Sequence, residues 1–410
     1  MISPRTITAT ANRTAVQVTV STGATPSSSL PADAQRHPTA RARLTQLTLA
    51  LYVLVLFAWL WPHDRDATSS VYLLVSWAAF MLRTFLLPIG VVVGLLALVA
   101  LRRRLRGPAL ALGLLLLPTI GSEARHFSAG AAAPRLPGDA LTLMTVNLWE
   151  YNASPRRLAE SMLAADAEVL LIQEFTPAWQ RVILETLGDR YPHRAWTKRC
   201  DAFGMAVLSK RPFVEPVRSD FTPGSHDIPQ MRAVVEVDAR RVVIYNIHLA
   251  PPRRLSFFAT QNRQFAALLD LFARENDPLI VGGDWNFSDI ADHAFRMKSA
   301  GFTDTWAQAG AGRGATWPGD CGWFRRLAGL RIDHIFLNGG LVCAEVRTTE
   351  ACGSDHVPMI ARIGFAKESS ARRRTGPPYD DSRIAIDRRS LTLAQSITFQ
   401  KAVTYAARLF

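Results

Sequence analysis

Gly282-Gly283-Asp284-Trp285-Asn286 follows the apolar run Pro278-Leu279-Ile280-Val281 and precedes a polar segment with helical spacing. Four apolar residues closed by two glycines read as a buried strand that stops where backbone must approach something closely. If the strand continues past the glycines, the side chains of Asp284 and Asn286, two residues apart, point the same way. A carboxylate offers only acceptors at neutral pH and an amide adds a donor, so the pair can address a hydrated metal or a nucleophile on one side and a phosphoryl oxygen on the other.

The pattern recurs. Leu141–Val146 ends in Asn147, and Glu168–Ile172 ends in Gln173 and Glu174. Arg241–Tyr245 leads into Asn246-Ile247-His248, and Arg331-Ile332-Asp333-His334 is followed by Ser354-Asp355-His356. Short apolar strands alternating with polar helical stretches from residue 141 onward indicate a layered α/β domain. One polar residue at a strand end is more often a cap or turn former than a catalyst. Asp333 is harder to explain that way, because a carboxylate in an Ile/Phe strand needs a partner when buried, and His356 is the expected one. Glu, Asp, Asn and His together supply hard oxygen ligands for Mg²⁺ and groups for proton transfer.

These motifs, in this order over about residues 140–364, resemble those of the endonuclease/exonuclease/phosphatase superfamily, which includes deoxyribonuclease-I-like nucleases and lipid and inositol phosphohydrolases. The resemblance implies a four-layer α/β sandwich of two packed sheets flanked by helices, and Mg²⁺- or Mn²⁺-dependent hydrolysis of phosphate esters. It implies Glu174 as the main metal ligand, with Asn147 and Asp355 beside it on metal or phosphate. Asp333 and His356 would form a carboxylate–histidine pair, His248 would donate to a phosphoryl oxygen, and Asp284 and Asn286 would hold water and bind the phosphoryl group. Either His356 or Asp284 would take the water proton.

The 410 residues leave room for more than this domain. Residues 1–43, rich in Thr, Ala, Ser and Pro, read as a disordered tail. Residues 44–122 read as a membrane region with about three helices, preceding a linker at 123–139. Leu44–Trp61 is a span with an aromatic end; Val71–Leu101 is too long for one span and too short for two, so Thr84–Leu101 is taken as the crossing, with Val71–Leu82 lying at the interface or extending the helix. Pro108–Ile120 holds only 13 residues and is either a third crossing or a re-entrant or surface helix. Arg102, Arg103, Arg104 and Arg106 mark their connection as cytoplasmic, and Arg36, Arg41 and Arg43 agree with a cytoplasmic start. Three crossings then put the α/β domain outside the cytoplasm. The architecture is similar to that of membrane-anchored bacterial members of the VanJ type, associated with teicoplanin resistance.

The formal charge of +13 belongs to the flanks: residues 140–365 carry 25 basic and 25 acidic side chains. A neutral catalytic region argues against a nucleic-acid partner. The expected substrate is therefore a lipid-linked phosphate or pyrophosphate at the membrane, with a Mg²⁺-dependent nuclease and a non-catalytic scaffold as alternatives. Phe302–Trp306 and Thr316-Trp317 read as framework. Cys200, Cys321, Cys343 and Cys352 form no zinc motif and select no disulfide. Residues 365–410 read as a tail, mostly disordered, whose last 20 residues have weak amphipathic character.

Overall fold

The computed structural model describes residues 40–65, 69–127, 134–136 and 138–366. The readings for residues 1–39 and 367–410 lie outside these. The described residues open with four helices, α1 (Ala40–Leu60), α2 (Ser70–Thr84), α3 (Leu86–Arg102) and α4 (Arg106–Phe127). Twelve strands follow: β1 (Ala140–Asn147), β2 (Val169–Gln173), β3 (His193–Trp196), β4 (Met205–Ser209), β5 (Arg218–Phe221), β6 (Gln230–Val237), β7 (Arg240–His248), β8 (Leu279–Asp284), β9 (Thr303–Asp304), β10 (Asp333–Leu337), β11 (Leu341–Thr348) and β12 (Met359–Phe365). Among them lie α5 (Pro155–Ala165), α6 (Pro177–Leu187), α7 (Leu255–Phe272), α8 (Asp292–Ser299), α9 (Thr305–Ala309) and α10 (Gly322–Ala328).

The strands form two six-stranded mixed sheets, ordered β11-β12-β1-β2-β4-β3 and β5-β6-β7-β8-β10-β9. Alternating residues explain how they stack. Leu141, Leu143, Val169, Leu171 and Val207 of the first sheet pack against Ala233, Val235, Val242, Ile244, Ile280 and Ile335 of the second. The other face of the first sheet buries Met144, Leu170 and Ile172 against Leu158 and Met162 of α5 and Trp179 and Ile183 of α6. The other face of the second buries Val243, Tyr245 and Val281 against Phe258, Phe265 and Leu268 of α7 and Met297 of α8. The result is the four-layer α/β sandwich, with apolar burial at three interfaces as its main stabilising term.

The glycines that close β8 are required by this packing. A Cβ on Gly282 would meet Leu171 Cδ1 of the opposite sheet at 2.8 Å, and one on Gly283 (φ +148°) would meet the Ile247 carbonyl oxygen of β7 at 1.9 Å. The close approach read from the sequence is thus to protein on both sides.

The helical region divides close to where the second crossing was expected to begin, and differs from expectation at its last helix. The long apolar segment is two helices bent by 68° at Phe85. The last helix does not end near Ile120 but continues to Phe127, into the stretch expected to be linker, because its polar last turns dock on the α/β domain: Glu123 pairs with Arg313, and His126 lies 3.8 Å from Asp289. Among the described residues two helices, Ala42–Leu60 and Arg106–Ala124, are long and apolar enough to cross a membrane; the bent pair α2/α3 makes a third if it counts as one span.

α2 is held to the domain by a charged cluster under the α1–α2 connection. Arg83 Nη1 donates to Asp292 Oδ1 at 2.5 Å, and the His63 backbone N–H donates to Asp292 Oδ2 at 3.1 Å. Arg296 pairs with Asp64 at 3.1 Å, and Asn262 donates to the carbonyls of His63 and Arg65. Trp77 Nε1 donates to the Pro252 carbonyl at 2.9 Å, and Phe80, 1% exposed, packs on Phe258.

Candidate active site

Sheet register brings the candidates together. β8 lies between β7, which it pairs in parallel, and β10, which it pairs antiparallel, so that Asp284 is the cross-strand partner of both His248 and Asp333. In the facing sheet β1 and β2 run parallel and place Asn147 beside Gln173, one residue before Glu174. The loop before β12 adds Asp355 and His356.

His356 Nδ1 lies 2.8 Å from Asp333 Oδ2, and its Nε2 lies 3.7 Å from Asp284 Oδ2. His248 Nε2 is 3.6 Å from the same Asp284 oxygen. Asn147 Nδ2 bridges the sheets, donating to Asp284 Oδ2 at 3.0 Å and to Glu174 Oε1 at 3.1 Å, while its Oδ1 accepts from Trp149 N–H. The amide therefore turns its nitrogen, not its oxygen, toward the carboxylates. Asn286 does not continue the strand. It sits in the left-handed region (φ +53°), and its backbone N–H and Nδ2 both donate to Asp284, while Nδ2 also donates to the Leu249 carbonyl. The two side chains meet through this tight turn, with Trp285 buried between them, and not by strand alternation.

Burial dominates the electrostatics. It raises the Glu174 carboxyl, against hydrogen bonds from Glu150 N–H and Asn147 that hold it down. It also raises Asp284 and lowers His248. For His356 burial works against the charged ring, but Asp333 and Asp284 outweigh it and the imidazole is pushed up.

The residues fit a divalent cation. Asp355 Oδ1 is buried without a hydrogen-bond partner among the described residues, and Asp355 shares its cleft with Glu174, each of whose oxygens accepts one hydrogen bond. Two neighbouring carboxylates in a desolvated site call for positive charge. Asp284, Asp333 and His356 form a second buried group with ligand atoms within 4.8 Å of one another, but Asp333 and His356 already satisfy each other.

Several supporting residues were not singled out as sites by the sequence. Gln173 Nε2 donates to Asn246 Oδ1 at 2.6 Å, and Asn246 donates to the carbonyls of Ile172 and Ala206, stitching the sheets beneath the site. Gln230 exchanges two hydrogen bonds with the His248 backbone, and Thr316 Oγ1 accepts from Ile332 and Asp333 N–H. Ser354 Oγ donates to the Asn147 carbonyl and accepts from His356 N–H. Gln173, Asn246 and Ser354 stood in the motifs; Gln230 gave no local signal. Arg331 and Asp304 pair at 2.7 Å and His334 is buried against Phe287, so these serve the framework. The four cysteines are free. Backbone conformation is unusual around the cleft: besides Asn286, Trp149 (φ +59°) and Glu174 (φ +57°) are left-handed.

Of the candidates, Glu174, His248, Asp284, Asn286, Asp355 and His356 line a cleft of about 330 Å³. Its walls include Trp149, Tyr151, Phe203, Pro251, Pro252, Phe257, Trp317 and Leu330, joined by Phe80, Met81, Thr84 and Phe85 from the helical region. Arg253 is the one Lys or Arg among its described lining residues.

A family model described as the Endonuclease/Exonuclease/phosphatase family matches residues 144–356, more than half of the chain. No curated protein matched the sequence. Similar solved structures include D. rerio TDP2 humanised by 14 mutations (19% identity, 55% of this chain and 99% of that one, TM-score 0.46). D. rerio TDP2 complexed with single strand DNA product gives 18% identity, 55% and 99% coverage and a TM-score of 0.46. An endonuclease/exonuclease/phosphatase from Beutenbergia cavernae DSM 12333 gives 18%, 56% and 72%, and 0.43. Identities this low leave the substrate open.

Proposed function

The chain belongs to the endonuclease/exonuclease/phosphatase family, whose members are metal-dependent phosphoester hydrolases, and from that premise we propose that it is a membrane-anchored phosphohydrolase acting on a lipid-linked phosphate or pyrophosphate at the outer face of the membrane. The observation that carries this reading is the cleft: carboxylates and imidazoles at its floor, aromatic and apolar walls, and a single guanidinium, Arg253. A polyanionic nucleic acid calls for many cations along its path. A phosphate carried by an apolar group needs a polar floor and greasy walls.

The anchoring rests on where the helices touch the domain. The 63–65 connection, α2 and the end of α4 all contact it, whereas Arg102–Arg106 lies in the short turn between α3 and α4. α1, α3 and α4 as three crossings put that arginine-rich turn in the cytoplasm and the α/β domain on the opposite side. α2 then lies at the outer surface against the domain.

In the reaction, Glu174 and Asp355 would hold a Mg²⁺ or Mn²⁺ ion, which supplies charge stabilisation for the phosphoryl oxygens. Asn147 fixes Glu174 against Asp284. Asp284, raised by burial and braced by Asn286, takes the proton of the attacking water as its oxygen bonds to phosphorus. His356, kept charged and oriented by Asp333, donates toward a phosphoryl oxygen, and neutral His248 donates from the other side. The bond to the leaving oxygen then breaks and inorganic phosphate departs.

Phosphate release from a polyprenyl pyrophosphate by the purified full chain, with and without Mg²⁺, tests this reading beside a plasmid-nicking control. Metal-dependent release with the plasmid intact is expected. Nicking without release would replace the reading with the nuclease.

A further inference from the structure

We infer that the elbow between α2 and α3, formed by Met81, Thr84 and Phe85, is part of the substrate site and receives the hydrocarbon chain of a bilayer lipid phosphate. The inference rests on the lipid-phosphate reading and adds which residues recognise the chain.

Three observations place it there. These residues line the same cleft as Glu174, Asp284, Asp355 and His356. Their wall is fixed to the catalytic domain: Phe80 is buried in its aromatic layer, Arg83 is tied to Asp292, and Trp77 to Pro252. At the bend Phe85 is left 38% exposed in a cleft whose other apolar lining includes Phe203, Phe257, Pro251 and Pro252.

The occupant follows from continuity. Beyond Phe85 the chain runs directly into α3, whose Val91, Val92, Leu95, Leu98 and Val99 are about half exposed, forming an apolar surface suited to acyl chains. An apolar path therefore connects the cleft to the lipid-facing side of α3. A small water-soluble phosphate would reach the floor without using this wall. A chain anchored in the bilayer must cross it, and shedding water from both surfaces favours that contact.

The test uses the full chain in lipid nanodiscs with Mg²⁺, comparing kcat/KM for a polyprenyl monophosphate and the short geranyl monophosphate. In the wild type the long chain is preferred. Phe85→Ser and the double variant Met81→Ser/Phe85→Ser should cut that preference about tenfold, and Phe85→Leu should retain most of it. A preference unchanged in folded Phe85→Ser overturns the inference while the lipid-phosphate reading survives. Release from neither substrate by the wild type would overturn both. A second readout needs no turnover: an alkyl phosphonate with a photoreactive chain should crosslink to the peptide containing residues 81–85 in metal-free protein, and crosslinking confined to other peptides would overturn the assignment.

Discussion

His356 Nδ1 stands 2.8 Å from Asp333 Oδ2, across 23 residues of sequence, with both side chains almost wholly buried. The carboxylate orients the ring and stabilises its charged form. Asp333→Asn keeps the shape and removes the charge, so kcat should fall on the order of 10²-fold or more while the folded structure persists. Steady-state kinetics beside a thermal melt check this. Turnover within a few-fold of wild type would show that His356 works without its partner.

Glu174 is raised by burial and shares its cleft with Asp355. Glu174→Gln should abolish both turnover and the rise in melting temperature on adding Mg²⁺ or Mn²⁺, a rise worth ~2.7 kcal/mol at about 100 times Kd. The metal-free variant should melt no lower than the metal-free wild type, since a desolvated like charge has been removed. Undiminished stabilisation by metal would place the ion elsewhere.

Gly283 has no room for a methyl group, with Ile247 backbone at 1.9 Å and φ at +148°, whereas Gly312 (φ +68°) has open space around it. Gly283→Ala should prevent folding or cost more than ~4 kcal/mol. Gly312→Ala should cost only about 1–2 kcal/mol, from backbone strain alone. Comparable melting temperatures for the two variants would contradict the close approach of β7 and β8.

The docking of the α1–α2 connection should loosen in acid. Burial pushes His63 down to about 4, and His293 in the same layer is also held well down. A histidine whose folded value lies below its unfolded 6.5 contributes stability that is complete above pH ~6.5 and is lost as pH falls toward the folded value. Asp64, raised by burial, works in the opposite sense between its unfolded 3.8 and its raised folded value. From pH 7.5 to 5, His63 alone should remove on the order of 2 kcal/mol, visible as a falling melting temperature and faster hydrogen exchange in α2. His63→Gln should flatten the slope. A melting temperature that rises over this interval would contradict the assignment.

Cys200 and Cys321 are exposed on the α/β domain, while Cys343 and Cys352 are buried. A membrane-impermeant maleimide should label the native chain in intact spheroplasts, and a cysteine at Arg104 in a Cys200→Ser/Cys321→Ser background should react only after lysis. The reverse pattern would invert the orientation.

Most of the candidate site was legible because it stands at strand ends, where a short apolar run announces the strand and the following polar residues mark the place where side chains converge. The Asp333–His356 pair followed from the cost of a buried carboxylate alone. The Asp284–Asn286 relationship was read correctly as proximity but for the wrong geometry, since Asn286 was taken to continue the strand although asparagine tolerates the left-handed region it adopts. The helical side of the cleft wall was not legible: Phe80, Met81 and Phe85 lie in a long apolar stretch that looks the same whether it faces lipid, protein or substrate. The end of α4 was hidden likewise, because Glu123 continues the helix only by finding Arg313.

The left-handed backbone at Trp149 and Glu174 sets a limit on how this protein can be improved. Side chains with a Cβ sit there at a cost of roughly 1–2 kcal/mol each, which glycine would relieve. A stability-driven engineering campaign that tries glycine wherever backbone is left-handed would reach Glu174→Gly and Trp149→Gly, variants stripped of a buried cleft carboxylate or an aromatic wall. Screening for thermal robustness and screening for turnover should diverge first at these two positions.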